Sequence, residues 1–287
     1  MKTRILLSSL ALAPAMFVAS AVCATTANIE FPAPSPACTL KQRVGLTDIE
    51  IVYSRPGAKD REIFGGLVPY DVVWRTGANQ ATKITFSTPV RFNGADVPAG
   101  TYGLFTIPGG TEWTVILNKA PAQWGAYQYD EKKDLVRVKA TPINLAEHIE
   151  TFMIELNDIR DESATLDLIW EHTVVPVKIE IDLTGKLVPQ IEQTMAAPGD
   201  KKPYYQAAMF YYDHGQDLQK ARKWVDAAIA EREAFYIVHL KAKILAKLGD
   251  KEGAIAAAKR STELAIKAEG PKSGYVKMNE DLIASLH

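Results

Sequence analysis

Between Cys38 and Leu183 the apolar residues fall on alternate positions. Ile49, Ile51 and Tyr53 share one side, as do Ile84 with Phe86, Tyr102 with Leu104, and Trp113, Val115 and Leu117. The same period returns in Phe152, Ile154 and Leu156, in Leu166, Leu168 and Trp170, and in Val175, Val177, Ile179, Ile181 and Leu183. A period of two puts every second side chain on one face, so each run predicts a strand with one buried and one wet face. Asn93-Gly94, Pro98 to Gly100, Pro108-Gly109-Gly110, Asn157-Asp158 and Thr184-Gly185 supply turn signals between the runs. Short strands with no helical crossovers predict an antiparallel β-sandwich or open barrel over residues 35–185.

After Leu183 the composition changes. Pro189, Pro198-Gly199-Asp200 and Pro203 mark residues 186–202 as a linker, and from 203 to 287 the apolar period is helical. Helices are expected over Tyr204–His214, Leu218–Glu231, Phe235–Leu248, Lys251–Ala268 and Gly274–Leu286. Gly215 and Gly249 punctuate the turns 34 residues apart, and Ala221 and Ala254 follow them 33 apart, a degenerate pattern that resembles the tetratricopeptide repeat. The first-helix Trp of that repeat is missing. Two helix pairs fall short of the roughly three repeats needed for independent stability, so this α-helical domain is expected to lean on the β domain or on a partner chain.

One segment of the β region has no period. Tyr53 to Asn79 carries Gly57, Gly65, Gly66, Gly77, Pro56, Pro69, Arg55, Arg61 and Arg75 between clear strands. It reads as a shaped loop presenting polar side chains. Arg55, Arg61 and Arg75, with Lys59, can form a donor cluster for a carboxylate, phosphate or sulfate; equally, they can pair with loop acids such as Asp60, Glu62 or Asp71. Asn79 either caps its own turn or faces a ligand. A second cluster, Trp124, Gly125, Tyr127, Tyr129 and Asp130, offers aromatic faces to a sugar or apolar ligand, or plugs one end of a sandwich.

Lys2 and Arg4 precede an apolar run, Ile5 to Val22, that ends in small residues, which predicts a signal peptide over residues 1–24 and a periplasmic or secreted location. Loss of that leader leaves a net charge of about −3, which offers no general attraction to nucleic acid or anionic lipid. No stable membrane insertion is expected once the leader is gone. Cleavage after Ala21 keeps Cys23 and permits a link to Cys38; cleavage after Ala24 leaves Cys38 alone.

Signals for chemistry are sparse. His148, His172, His214, His239 and His287 form no HxH or HExxH pattern, so no metal or cofactor is expected; His148 and His172 can converge in space or lie apart as surface histidines. His214, just before Gly215, reads as a helix C-terminal residue favoured by the dipole. There is no GxSxG elbow or SxxK box, and Gly65-Gly66 does not open a helix.

Several ungapped blocks resemble a known family. Tyr53-Ser54-Arg55-Pro56, Ile63 to Tyr70, Val73 to Asn79, Pro98 to Tyr102, Leu104 to Pro108, Glu112 to Asn118 and Trp124-Gly125 are similar to the signature blocks of an uncharacterised bacterial exported family, domain of unknown function 2911. The resemblance implies a secreted or periplasmic β domain and carries no catalytic residues. Asp60 stands where a glycine is expected before Arg61, which argues against a left-handed turn there.

Two functions compete on these grounds. The first is a non-enzymatic binding module that takes a small anionic or sugar-like ligand through Arg55, Lys59, Arg75, Asn79, Trp124 and Tyr129, with the helical tail docking an envelope protein. The alternative is a hydrolase acting on an envelope or extracellular substrate, with Arg55 and Arg75 stabilising an anion and Asp71 or Asp130 as base.

Overall fold

The computed structural model describes residues 31–199 and 201–286, so the expected leader and Cys23 lie outside the described residues. Among the described residues Cys38 makes no disulfide. The β region contains β1 (Ala37–Val44), β2 (Thr47–Ser54), β3 (Thr82–Phe86), β4 (Val90–Phe92), β5 (Ala95–Val97), β6 (Gly100–Ile107), β7 (Trp113–Asn118), β8 (Asp134–Ala140), β9 (Ile143–Asn157) and β10 (Ser163–Glu180). They form two open antiparallel sheets, ordered β1-β2-β3-β6-β7-β8 and β5-β4-β10-β9. This is the sandwich that the alternation predicts. Ile49, Ile51, Ile84, Leu104, Val115 and Leu117 of one sheet and Phe152, Ile154, Leu166, Leu168, Val177 and Ile179 of the other are buried in a common core. The β4–β5 hairpin turns on Asn93 and Gly94, whose φ values of 47° and 86° suit a tight two-residue turn.

An aromatic cluster occupies the centre of the sandwich. Trp74 stacks on Trp170 at 5.9 Å between ring centroids and meets Phe152 edge-on at 5.2 Å, while Phe64 lies 4.9 Å from Trp113. Trp74 and Phe64 belong to the aperiodic Tyr53–Asn79 segment, so that segment inserts apolar anchors between the sheets as well as exposing polar groups. It is also unusually rich in left-handed backbone. Lys59, Asp60, Asp71, Thr76 and Asn79 all have φ between 52° and 60°. The left-handed turn therefore forms at Asp60 without a glycine, since Asp tolerates this region through local hydrogen bonding.

The first residues of the segment close an exposed sheet edge. β9 is an edge strand, and its outer N–H and C=O groups need partners. Phe152 N donates to Pro56 O at 2.9 Å and Ala58 N to Glu150 O at 2.7 Å. The Tyr53 hydroxyl, rooted in the opposite sheet, accepts from Ile154 N at 3.0 Å and sits 3.4 Å from Ile154 O. Burial pushes the Tyr53 phenol up to about 12, so it stays protonated and can play both parts. Tyr53→Phe keeps the ring but strands a buried N–H, and should cost about 2 kcal/mol in urea unfolding followed by tryptophan fluorescence.

The helices are α1 (Leu183–Ala196), α2 (Tyr204–Asp213), α3 (Leu218–Glu231), α4 (Phe235–Lys247), α5 (Lys251–Glu269) and α6 (Gly274–Ala284). Helix α1 corrects the expected linker over 186–202, and the strand expected to reach Leu183 ends at Glu180. The Asp182 side chain caps Gly185 N at 2.7 Å, and Glu162 accepts from Thr184 N at 2.9 Å, fixing the helix start against the β9–β10 loop. Val188, Ile191 and Met195 then pack against the cluster built from α2, α3 and α4. That burial offsets the hydrogen bond lost at Pro189.

Neighbouring helices pack in sequence, with α4 also touching α2 and α6, as in stacked helical hairpins. His214 ends α2, stacks on Phe210 at 4.1 Å and brings Nε2 within 3.6 Å of Asp161 in the β9–β10 loop. The tail thus leans on the β domain. No helix among the described residues is long and apolar enough to cross a membrane.

Candidate functional site

The outer face of the six-stranded sheet is partly covered by residues 119–130, which cross it between β7 and the single 3-10 turn Glu131–Lys133. Phe105, Ile116 and Ala81 form a small apolar patch on this face, and Tyr129, Ala126 and Val73 pack over it. Ala81 N donates to Gln123 O at 2.9 Å and Gly125 N to Asn79 O at 3.0 Å. These bonds hold the covering loop against residues 79–81. Trp124, bridged to Gln80, is left on the rim with its side chain 62% exposed.

A cleft of about 480 Å³ opens at this rim. Tyr53, Val52 and Ala37 contribute apolar surface; Ser54, Asn79, Gln80 and Lys83 contribute polar groups; the Trp124 indole forms one wall. Lys83 makes no ion pair among the described residues, and no carboxylate lines the cleft. The cross-strand neighbours of Lys83 are Val52 and Gly103, neither of which neutralises it. The cleft therefore joins one cation, several amide and hydroxyl groups and an exposed aromatic face.

Asn79 is held in place by an unusual run of backbone. Thr76 is fully buried at φ 55°, costly for a β-branched residue, and is fixed by its hydroxyl bond to Thr106 at 3.1 Å and by the Thr82 hydroxyl bond to its carbonyl at 2.5 Å. Asn79 follows at φ 59°, donating from Nδ2 to Ser35 O at 3.2 Å and Ser54 Oγ at 3.3 Å. The Asn79 side chain thus ties the segment to the end of β2 and to the residues before β1, instead of capping its own turn. Asn79 also lines the cleft.

The structure brings Asn79 and Trp124 together and disperses the other expected contacts. Arg55 donates from Nε to Phe152 O at 3.1 Å, and Lys59 N donates to the Glu150 carboxylate at 3.0 Å, so both belong to the β9 closure. Arg61 is spent on the carbonyls of Ala58 and Gly57, at 2.9 and 2.7 Å. Both arginines find carbonyls instead of loop acids: Arg55 meets an acceptor at the edge of β9, and Arg61 meets the carbonyls of its own turn. Arg75 lies outside the cleft lining, with a buried Nε that has no hydrogen-bond partner among the described residues.

Tyr129, expected as a ligand contact or as part of a plug at one end of the sandwich, packs over the outer face of the six-stranded sheet. Its ring packs 5.1 Å from Phe105, its hydroxyl donates to Asp134 at 2.6 Å, and burial followed by that bond pushes the phenol well above its ordinary range. Asp130 caps the 3-10 turn through Lys132 N at 3.1 Å, and neither it nor Asp71 lines the cleft. The acid and arginines needed for hydrolysis do not converge there. Lys83 and Gln80 escaped the sequence reading because a lysine on the wet face of a strand looks like any solvated residue; the bare Gly103 opposite was the available hint.

A larger hollow of about 740 Å³ lies between β4, β5 and the start of α1. Its acids are already engaged: Glu162 with Thr184, Asp182 with Gly185, Glu180 with Lys178 at 2.8 Å and Asp96 with Arg91 at 3.7 Å. The Glu162 and Asp182 bonds serve the joint between the sandwich and α1, and the other two stay within the sheet.

No curated protein and no solved structure matches the chain. The sequence profile of the family described as protein of unknown function (DUF2911) matches residues 35–179, from just before β1 to the last turn of β10. By that match, which spans half its length and both sheets of the sandwich, the chain belongs to the DUF2911 family.

Proposed function

We propose that the chain is an exported binding module of the periplasm or cell envelope, and that the cleft beside Trp124 takes a small acidic saccharide. The observation that carries this reading is the pairing of an exposed indole face with Lys83, which has no ion-pair partner among the described residues, across a cleft whose described lining holds amides but no carboxylate. A sugar ring presents C–H groups to an aromatic face and hydroxyls to amides, and a carboxylate on the ring matches Lys83. The apolar run behind Lys2 and Arg4 supports export. A site that neither acid of the hydrolase reading reaches favours binding over bond cleavage.

Isothermal titration with glucuronic acid, galacturonic acid, N-acetylmuramic acid and neutral glucose tests the reading. The acidic sugars should bind. Trp124→Ala should weaken them at least about tenfold with the fold unchanged, because the ring is exposed and supports no core contact. Lys83→Ala should remove the preference for acidic over neutral sugars. Equal affinity in wild type and Trp124→Ala would refute the site.

A further inference from the structure

Beyond the stretch of β9 that the Tyr53–Ala58 segment closes, the β9–β10 hairpin carries two histidines on facing strands. The rings of His148 and His172 stand 5.5 Å apart between centroids, inclined at 63°. Both side chains are exposed. Their meeting follows from a break in strand register. The β9–β10 pairing shifts on both sides of Glu171, between Ile169 and Glu171 and again between Glu171 and Thr173, and Glu171 itself adopts φ 48°. In regular alternation residue 172 would share the face of Trp170, whose ring lies in the core; the irregularity turns His172 outward.

His172 Nδ1 lies 3.2 Å from the carbonyl of Leu145. A carbonyl only accepts, so Nδ1 carries the proton and the neutral ring presents the Nε2 lone pair. A backbone carbonyl on one imidazole nitrogen is how proteins commonly fix the tautomer of a metal-ligating histidine. The spacing also fits. Two imidazoles bound to one ion at metal–nitrogen distances of roughly 2.0–2.1 Å place their ring centres about 5 Å apart.

We infer that His148 and His172 form an open, two-imidazole site for a late first-row divalent ion, with Cu²⁺ held more tightly than Zn²⁺. Among the described residues no third His, Cys, Asp or Glu joins them in a metal-competent group, so water or a group from outside the chain completes the coordination. The ion links β9 to β10 where their register is broken and the hairpin extends beyond its closed edge.

The test uses full-length untagged protein titrated with Cu²⁺ and with Zn²⁺ in a buffer that does not chelate, with electron paramagnetic resonance on the copper form. One Cu²⁺ per chain with two nitrogen ligands is expected, and His148→Ala and His172→Ala should each weaken binding at least about tenfold. His214→Ala should leave it unchanged. Circular dichroism checks each fold, and His148→Gln gives a second variant that keeps a polar group at the exposed site. A smaller loss in either alanine variant, or no binding up to about 1 mM of either ion, overturns the site.

Discussion

Replacing Trp74 with alanine should destabilise the β domain by about 4 kcal/mol, at the upper end of large-to-small core substitutions. Trp74 is 8% exposed and contacts aromatic rings from three parts of the chain: Phe64 within its own segment, Trp113 in one sheet, and Phe152 and Trp170 in the other. Removing the indole opens a cavity against rings that cannot collapse into it without leaving their own contacts. It also deprives the Gly77 carbonyl of its 3.1 Å bond from the indole N–H. The effect should reach the cleft. Thr76, Gly77 and Asn79 are left-handed or extended in sequence directly after Trp74, and their geometry persists because the anchor holds it. Urea unfolding followed by tryptophan fluorescence should therefore show a lower midpoint for Trp74→Ala, with the slope near wild type. Trp74→Phe keeps most of the packing and should recover more than half of the loss.

The second large effect is expected in the helical array, at Asn279. This residue is fully buried on α6 and joins three helices: His239 Nδ1 of α4 lies 2.7 Å from its amide oxygen, its Nδ2 donates to Ser261 Oγ of α5 at 2.9 Å, and Ser261 donates to Phe235 O at 2.8 Å. Every member of that chain is satisfied, which makes the network worth keeping and costly to break. Asn279→Ala leaves His239 Nδ1 without its partner and takes the donor away from Ser261 Oγ, and should cost about 3 kcal/mol, read as a lower thermal midpoint of helical ellipticity. Restoring volume with Asn279→Leu should not rescue it, because the polar partners stay unpaired.

The same network makes the array sensitive to acid. Burial lowers the pKa of His239 below its ordinary value of 6.5, partly offset by the Asn279 bond, with Lys243 adding a small effect in the same direction as burial. The unfolded chain therefore binds a proton more readily than the folded one, and stability rises with pH across this interval. The contribution is fully present above about 6.5 and is lost as pH falls from there through the lower folded value. Melts of His239→Gln, which cannot take up this proton, should show a weaker pH dependence than wild type between about pH 7.5 and 5.

Much of this fold is legible in the sequence because period-two alternation and turn chemistry act locally. The runs around Ile49, Val115, Leu166 and Val177 became strands because each could bury one face, and Asn93-Gly94 became the tight turn its residues suit. The first half of β9, from Ile143 to Ile149, shows no alternation because it extends where there is no core to face, and its exposed pattern hid it. Helix α1 was concealed by Pro189; its apolar face becomes meaningful only once α2 and α3 are present to receive it.

The site divides in the same way. Trp124 and Asn79 were visible as an aromatic and an amide in polar loops. The fate of Arg55 was not, since its acceptor lies on Phe152, far along the chain, and is set by which strand ends at a sheet edge. His148 and His172 met for a related reason: a register shift that no local pattern encodes brought them together.

The proposed ligand would sit on Trp124. The chain has five tryptophans; Trp74, Trp113, Trp170 and Trp224 are buried and Trp124 alone of them is exposed. Labelling with 5-fluorotryptophan and recording ¹⁹F spectra during a titration with N-acetylmuramic acid separates these positions, with Trp124→Phe assigning its resonance. A progressive, saturable shift of the Trp124 signal is expected while the four buried signals stay fixed. A titration that moves the buried tryptophans and leaves Trp124 unmoved, or moves none of the five, would contradict it.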